Sequence, residues 1–155
     1  MENGIAIYGS FIKDIKDLIY RRQYEAMKKV NVELIELYWE IGGEIYRQQQ
    51  EKGWGKSVVE VLAKELQKEF PGVQGFSARN LWRMRDFYVE YAQNAILPPS
   101  VAELEEKTHI AILPPLVAEI GWSHNCVIIE KCKDPQQRLF YIKMTKHDEY
   151  CNDRL

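Results

Sequence analysis

The first seventy residues lack proline, and apolar side chains recur along them at steps of three and four. The recurring positions are Ile12, Ile15, Ile19, Met27, Val30, Leu34, Tyr38, Ile41 and Ile45. Such steps are typical of an amphipathic helix. We predict one very long helix, or two helices joined near Asn31, capped by Ser10 and ending around Gln50 to Gly53. Residues 1–9 are predicted to be a short flexible lead, and residues 10–155 a single helical domain.

Two adjacent glycines, Gly42 and Gly43, lie inside this long helical pattern. Each glycine costs a helix interior about 1 kcal/mol relative to alanine. Close packing of another helix against the bare backbone would offset that cost. The pair therefore predicts a helix crossing at this point.

Two more helices are indicated before residue 95. Ser57 and Glu60 have the S-x-x-E spacing of a capping box, which predicts a second helix that ends at Phe70-Pro71-Gly72. A third helix is predicted to begin at the cap Ser77. Its predicted core face comprises Leu81, Met84, Tyr88 and Tyr91.

The segment after residue 95 contains a near-repeat, ILPPSVAEL at 96–104 and ILPPLVAEI at 112–120. Each Pro-Pro pair fits either the start of a short helix or an irregular extended piece. Ser123 is predicted to cap a helix that begins at Trp122, and Asp134-Pro135 to start a last helix through about Glu149. The expected fold class is all-α, a bundle of five or six helices with a long N-terminal helix and a helix–turn–helix-like pair.

The composition fits a packed, water-soluble domain, with 46% hydrophobic and 28% charged residues. No apolar run approaches the roughly 18 residues of a membrane span, and the N-terminus has no basic region followed by an apolar one. We therefore expect a cytoplasmic protein with no membrane partner.

The cysteines and histidines do not form a recognisable metal or catalytic motif. Cys126, Cys132 and Cys151 are best interpreted as reduced thiols, and with His147 they lack the tight C-x-x-C or H-x-x-x-H spacing of structural zinc sites. There is no Gly-rich phosphate loop, no G-x-S-x-G and no H-E-x-x-H. We predict no metal, no cofactor and no catalytic residue.

The third predicted helix carries the pattern that most favours nucleic-acid binding. At about 100° per residue, Arg79, Arg83, Asp86 and Glu90 lie opposite its apolar face. Arginine makes bidentate contacts to guanine or phosphate, and the free N–H groups of a helix start attract phosphate. The candidate DNA-binding residues are Ser77, Arg79, Asn80, Arg83, Arg85 and Lys56.

Two observations weigh against this interpretation. The PGVQGF connection before Ser77 is about six residues, whereas the usual helix–turn–helix has three or four. The arginines also have carboxylates within reach, at Asp86, Glu90 or the acidic half of the first helix, and would then form a solvated, neutralised face. The DNA hypothesis therefore requires Arg79 and Arg83 to be open to solvent and unpaired.

Charge is unevenly distributed along the first predicted helix. Residues 13–29 contain six basic and three acidic residues, and residues 31–51 contain five acidic residues and one arginine. The basic stretch fits either a phosphate-tracking surface or a solvated face with intrahelical pairs. The net charge of −2 excludes a generally basic nucleic-acid coat.

Four strings in order resemble the N-terminal domain of the YhcG-type family of bacterial proteins. They are ELYWEIGGEI at 36–45, GWGKSVVEVLAKELQKEFPG at 53–72, GFSARNLWRMRDFY at 75–88 and IGWSHNCVIIEKCKD at 120–134. The resemblance covers roughly residues 15–145. It implies an all-helical, helix–turn–helix-like region that acts in DNA binding or assembly and holds no established catalytic residue.

Proteins of that family usually carry a C-terminal nuclease domain of the PD-(D/E)XK type, whose acids and lysine this sequence lacks. Nuclease activity is therefore not transferred, and a nuclease domain or protein in trans is an expected partner. We predict a non-catalytic DNA-binding or targeting module of a nuclease-associated bacterial protein. The alternative is a homo-oligomerisation or protein-interaction scaffold, in which the long helix and its Gly42-Gly43 crossing build a dimer without nucleic acid.

Overall fold

The computed structural model describes residues 2–93 and 113–152, which form six helices and no strand. These are α1 (Glu2–Lys52), α2 (Lys56–Glu69), α3 (Ala78–Gln93), α4 (Pro115–Ala118), α5 (Trp122–Lys131) and α6 (Pro135–Asn152). The all-α fold class and the long N-terminal helix are confirmed.

Helix α1 is one uninterrupted helix of 51 residues, about 75 Å long at 1.5 Å per residue. It begins at Glu2, so the prediction that Ser10 caps it is wrong, and residues 2–9 belong to the helix rather than to a lead. Asn31 lies inside the helix, which excludes two helices joined there. The helix ends at Lys52, and the following Gly53 has a φ of 64°, which is accessible to glycine, and an N–H that donates to the Gln49 carbonyl at 3.0 Å.

The two halves of α1 have different surroundings. Between residues 8 and 30 every side chain is exposed except Tyr24, which is half-buried. From Ile35 onward the helix enters the bundle, where Ile35, Tyr38, Trp39 and Ile45 are buried. The bundle is therefore built on the second half of α1.

Helix α3 packs on this second half through the glycine pair. A Cβ on Gly42 would overlap the backbone carbonyl of Met84, and one on Gly43 would lie 2.9 Å from the Tyr88 ring. The predicted helix crossing is confirmed. The crossing forms within one chain, between α1 and α3, and the predicted dimer stays a prediction.

Helix α2 begins one residue before the predicted capping box. Its N-cap is Gly55, in extended conformation, and no side chain caps the helix. Ser57 therefore lies inside the first turn, and the prediction that Ser57 and Glu60 form a capping box is wrong. The predicted end is confirmed, because the Phe70 N–H closes the last turn on the Leu66 carbonyl at 2.9 Å.

Residues 70–77 connect α2 to α3. Gly75 has φ of 105°, and a Cβ there would overlap the Tyr38 hydroxyl. The Gln67 side chain donates to the Phe76 carbonyl at 3.0 Å. Ser77 caps α3 as predicted, since its hydroxyl oxygen accepts the Asn80 N–H at 3.1 Å. The connection is longer than that of an ordinary helix–turn–helix.

The C-terminal helices are joined by side-chain amides. Asn31 of α1 donates to the carbonyls of Ala118 and Ile120 at 3.1 and 3.0 Å, and the buried Asn125 donates to that of Val117 at 3.0 Å. These bonds satisfy carbonyl groups at the end of α4 and tie it to α1 and α5.

The starts of these helices partly match the predictions. The second Pro-Pro pair starts the one-turn helix α4, while the first copy, at 96–104, lies outside the described residues. Gly121 is the N-cap of α5, so the prediction of Ser123 as its cap is wrong. Asp134 starts α6 as predicted, its carboxylate accepting the Gln137 N–H at 3.0 Å.

The core consists of two clusters that share one tryptophan. The larger joins Ile35 and Trp39 of α1 to Phe87 and Tyr91 of α3 and to the C-terminal helices. The smaller joins α1 and α3 to Val59 and Ala63 of α2. Trp122 packs against both, with its ring centroid 4.8 Å from that of Tyr38 and 5.3 Å from that of Phe87.

Candidate nucleic-acid interface

Helix α3 has packed neighbours along its polar side as well as its apolar side. Its apolar residues Leu81, Met84 and Phe87 are fully buried. On the other side, Arg83 contacts Glu130 of α5, and Glu90 contacts Arg138 of α6. The opposite face predicted from the helical wheel is therefore partly covered from its second turn onward, although Asp86 stays exposed. The first turn of α3 is its most open part.

Ser77 and Arg79 form this open first turn. Ser77 is exposed, and the main-chain N–H groups of Ala78 and Arg79 have no acceptor among the described residues. Arg79 is exposed too, and no ion pair or hydrogen bond joins its guanidinium to another residue that the structure describes. A charged donor thus stands beside free backbone donors at the positive end of a helix dipole.

Asn80 holds the start of α3 in place. Its amide nitrogen donates to the Gly75 carbonyl at 2.7 Å, and its amide oxygen accepts the Trp122 indole N–H at 2.9 Å. Both ends of the amide are engaged within the chain. Asn80 therefore orients the loop and Trp122, and its second amide N–H and second oxygen lone pair are what is left for a ligand.

Arg83 is paired with a carboxylate from a distant part of the sequence. Its guanidinium donates to Glu130 at 3.2 Å, and about a third of its side chain remains exposed. Asp86, Trp122 and Cys126 line the small cavity beside this pair, with a volume of about 70 Å³. The requirement that Arg83 be unpaired is not met.

Arg85 lies on the α1 side of α3. It donates to the Gln49 side chain at 3.1 Å and to Asp86 at 2.8 Å, and its guanidinium lies 6.0 Å from the centroid of the Tyr46 ring. These contacts make Arg85 a bridge between α3 and the end of α1 rather than a free cation.

Lys56 is the first residue of α2 and is exposed, with no ion pair to any residue in the described ranges.

Of the six predicted residues, Ser77, Arg79 and Asn80 lie together at the start of α3. Ser77, Arg79 and Lys56 keep groups free for a ligand. The sequence pattern did not indicate the partners of Arg83 and Asn80, which are Glu130 and Trp122. Neither lies at a telling spacing from α3, and no local pattern reveals a contact across more than forty residues.

The cysteines have the surroundings of ordinary packed thiols. Cys132 is buried in the larger cluster. Burial raises the pKa of the Cys126 thiol, although the nearby Arg83 charge opposes the shift. The described residues contain no group of three or more His, Cys, Asp or Glu side chains placed to hold a metal ion.

A comparison with protein families identifies this arrangement as that of a known domain. The sequence profile of the DUF1016 N-terminal domain matches residues 14–155, and the chain therefore belongs to this family, the YhcG-type N-terminal domains. No curated protein and no solved structure matches the chain. In the part of the chain that the structure describes, no helix combines the length and the apolar character needed to cross a membrane.

Proposed function

We propose that the chain is a non-catalytic DNA-binding or targeting module of a nuclease-associated bacterial protein, and that it contacts the phosphate backbone with the first turn of α3. The observation that carries the proposal is the exposed Arg79 guanidinium beside the Ser77 hydroxyl, with no partner among the described residues. A nuclease domain, in cis or in trans, would supply the chemistry.

The contact is made by the end of the helix. Arg79 donates two parallel N–H bonds to one phosphate, and the free N–H groups of Ala78 and Arg79 donate to a phosphate oxygen at the positive end of the helix dipole. This geometry positions the protein on DNA without reading base edges. We therefore expect weak sequence preference and a strong dependence on salt.

The first experiment is a fluorescence-anisotropy titration of a short labelled DNA duplex at about 50 and 200 mM salt. Arg79→Ala should weaken binding to unrelated sequences alike and reduce the salt slope by about one. Lys143→Ala is the matched control, because Lys143 is exposed on α6 and has no ion pair in the described residues. Absence of binding at low salt, or equal affinities for the two variants, would refute the proposal.

A second variant tests whether Arg83 joins the contact once it is released. Glu130→Gln removes the carboxylate that holds Arg83 and should tighten DNA binding if the freed guanidinium reaches phosphate. Glu69→Gln, at the end of α2, removes one negative charge elsewhere and controls for net charge. Equal effects of the two substitutions would show that Arg83 is not part of the interface.

A further inference from the structure

An apolar stripe runs along the exposed side of α1. Its members are Tyr8, Ile12, Ile15, Ile19, Val30, Leu34 and Leu37, each of which the structure leaves exposed. Ile19 is 50% exposed and Val30 69%. At 1.5 Å per residue the stripe extends over about 44 Å. The stripe is interrupted by polar residues between Ile19 and Val30, and soluble proteins rarely leave two such apolar patches on one helix open to water.

The stripe is not a continuation of the core face of α1. At about 100° per residue, Ile15 and Ile19 point roughly opposite to Ile35, which is fully buried against α3 and the C-terminal helices. The outward Leu34 and Leu37 extend the stripe along the back of the half that lies in the bundle. The apolar residues of α1 therefore form two faces, and the bundle covers one of them.

Charge beside the stripe changes sign along the helix. The basic stretch 13–29 belongs to the protruding half, and the acidic stretch 31–51 to the half in the bundle. Glu33, Glu36 and Glu40 are exposed, and no ion pair joins them to another residue in the described ranges. Two parallel copies of α1 would place like charges together, whereas antiparallel copies place each basic stretch against an acidic one.

We propose that this stripe is the interface of an antiparallel homodimer. With the two-fold axis between Tyr24 and Glu25, Ile19 faces Val30 of the second copy, Ile15 faces Leu34 and Lys16 is level with Glu33. A second copy fits because an isologous interface must be complementary to itself, and the apolar and charged halves of α1 meet that condition. The dimer leaves the Gly42-Gly43 crossing within each chain and does not depend on DNA binding.

The interface is tested by the mass of the full chain in solution, from sedimentation or light scattering. The wild type should be a dimer. Ile15→Glu should weaken association by about 100-fold or more, because it places a charge in the apolar contact. Tyr20→Glu is the matched control, since Tyr20 is 69% exposed but lies about a third of a turn away from the stripe, and it should leave the dimer intact. Circular dichroism checks that both variants keep their helices.

Orientation and register are tested by exchanging charges. Lys16→Glu and Glu33→Lys should each weaken the dimer by about tenfold, because the two-fold axis repeats the lost pair, and the double variant should recover wild-type affinity.

Three results would overturn the proposal. The first is a wild type that stays monomeric at a concentration on the order of 100 μM, as it would if another segment covered the stripe. The second is equal dissociation of the dimer by Ile15→Glu and Tyr20→Glu. The third is a double charge variant that dimerises as weakly as the single variants.

Discussion

At Gly42 the absence of a side chain lets the backbone of α3 lie directly against α1. We expect Gly42→Ala to lower the free energy of unfolding by about 3 kcal/mol, because the added methyl group meets the Met84 carbonyl rather than a movable side chain. Urea denaturation followed by circular dichroism measures the change. Gly9→Ala is the control, since nothing lies within 4 Å of a Cβ there and alanine favours a helix. A loss at Gly9 equal to that at Gly42 would contradict the explanation.

The helix caps show what a local pattern can and cannot predict. Ser77 and Asp134 cap α3 and α6 as their sequences indicate. At α2 and α5, Gly55 and Gly121 take the extended conformation before the helix, so each helix starts before its serine. A glycine just ahead of a serine thus competes for the cap position, and only the backbone conformation decides between them.

At the scale of the element, α3 is held on its polar side by two ion pairs of different burial. Arg138 is 2% exposed; it donates to the Cys132 and Lys133 carbonyls at 2.7 and 2.9 Å and contacts Glu90. Arg138→Ala leaves Glu90 unpaired and two carbonyls unsatisfied, so we expect a loss of about 3 to 5 kcal/mol in the free energy of unfolding.

The partly exposed Arg83–Glu130 pair provides the comparison. Arg83→Ala should cost less than about 1 kcal/mol, because solvent screens the pair and competes for its hydrogen bonds. Chemical denaturation measures both losses in the free energy of unfolding. Equal losses for Arg138→Ala and Arg83→Ala would show that burial does not determine how much these ion pairs stabilise the fold.

The apolar face of α3 followed from the sequence, but the coverage of its polar face did not. Of the predicted core residues Leu81, Met84, Tyr88 and Tyr91, three are buried and Tyr88 is half-buried, while Phe87, which was not predicted, is fully buried. Glu130 and Arg138 lie more than forty residues from the α3 side chains that they contact. No periodicity encodes such pairs, so a helical wheel assigns the polar face to solvent by default. This is why Arg79 met the expectation of an open, unpaired guanidinium and Arg83 did not.

At the scale of the whole molecule, stability should fall in strong alkali because of Tyr91. Burial raises the pKa of Tyr91 to about 12 from 10.0. Between these values the unfolded chain loses the phenol proton and the folded chain keeps it. The contribution is therefore complete below pH 10 and declines as the pH rises towards 12, by on the order of 2 to 3 kcal/mol.

Tyr91→Phe removes this titration. The hydroxyl has no hydrogen-bond partner among the described residues, so we expect little change in stability at pH 7. The decline between pH 10 and 12 should be shallower than in the wild type, as measured by urea denaturation at each pH. Identical slopes would place the alkaline sensitivity in other groups.

Trp122 connects the two hydrophobic clusters and should therefore affect how the protein unfolds. Its ring belongs to both hydrophobic clusters, and its indole N–H holds the amide of Asn80 at the start of α3. If either cluster loses its packing, the Trp122 ring loses contacts, and the other cluster packs against the same ring. We therefore expect the helices that share it to unfold as one cooperative unit, with no stage at which the α2 side has unfolded while the C-terminal helices remain native.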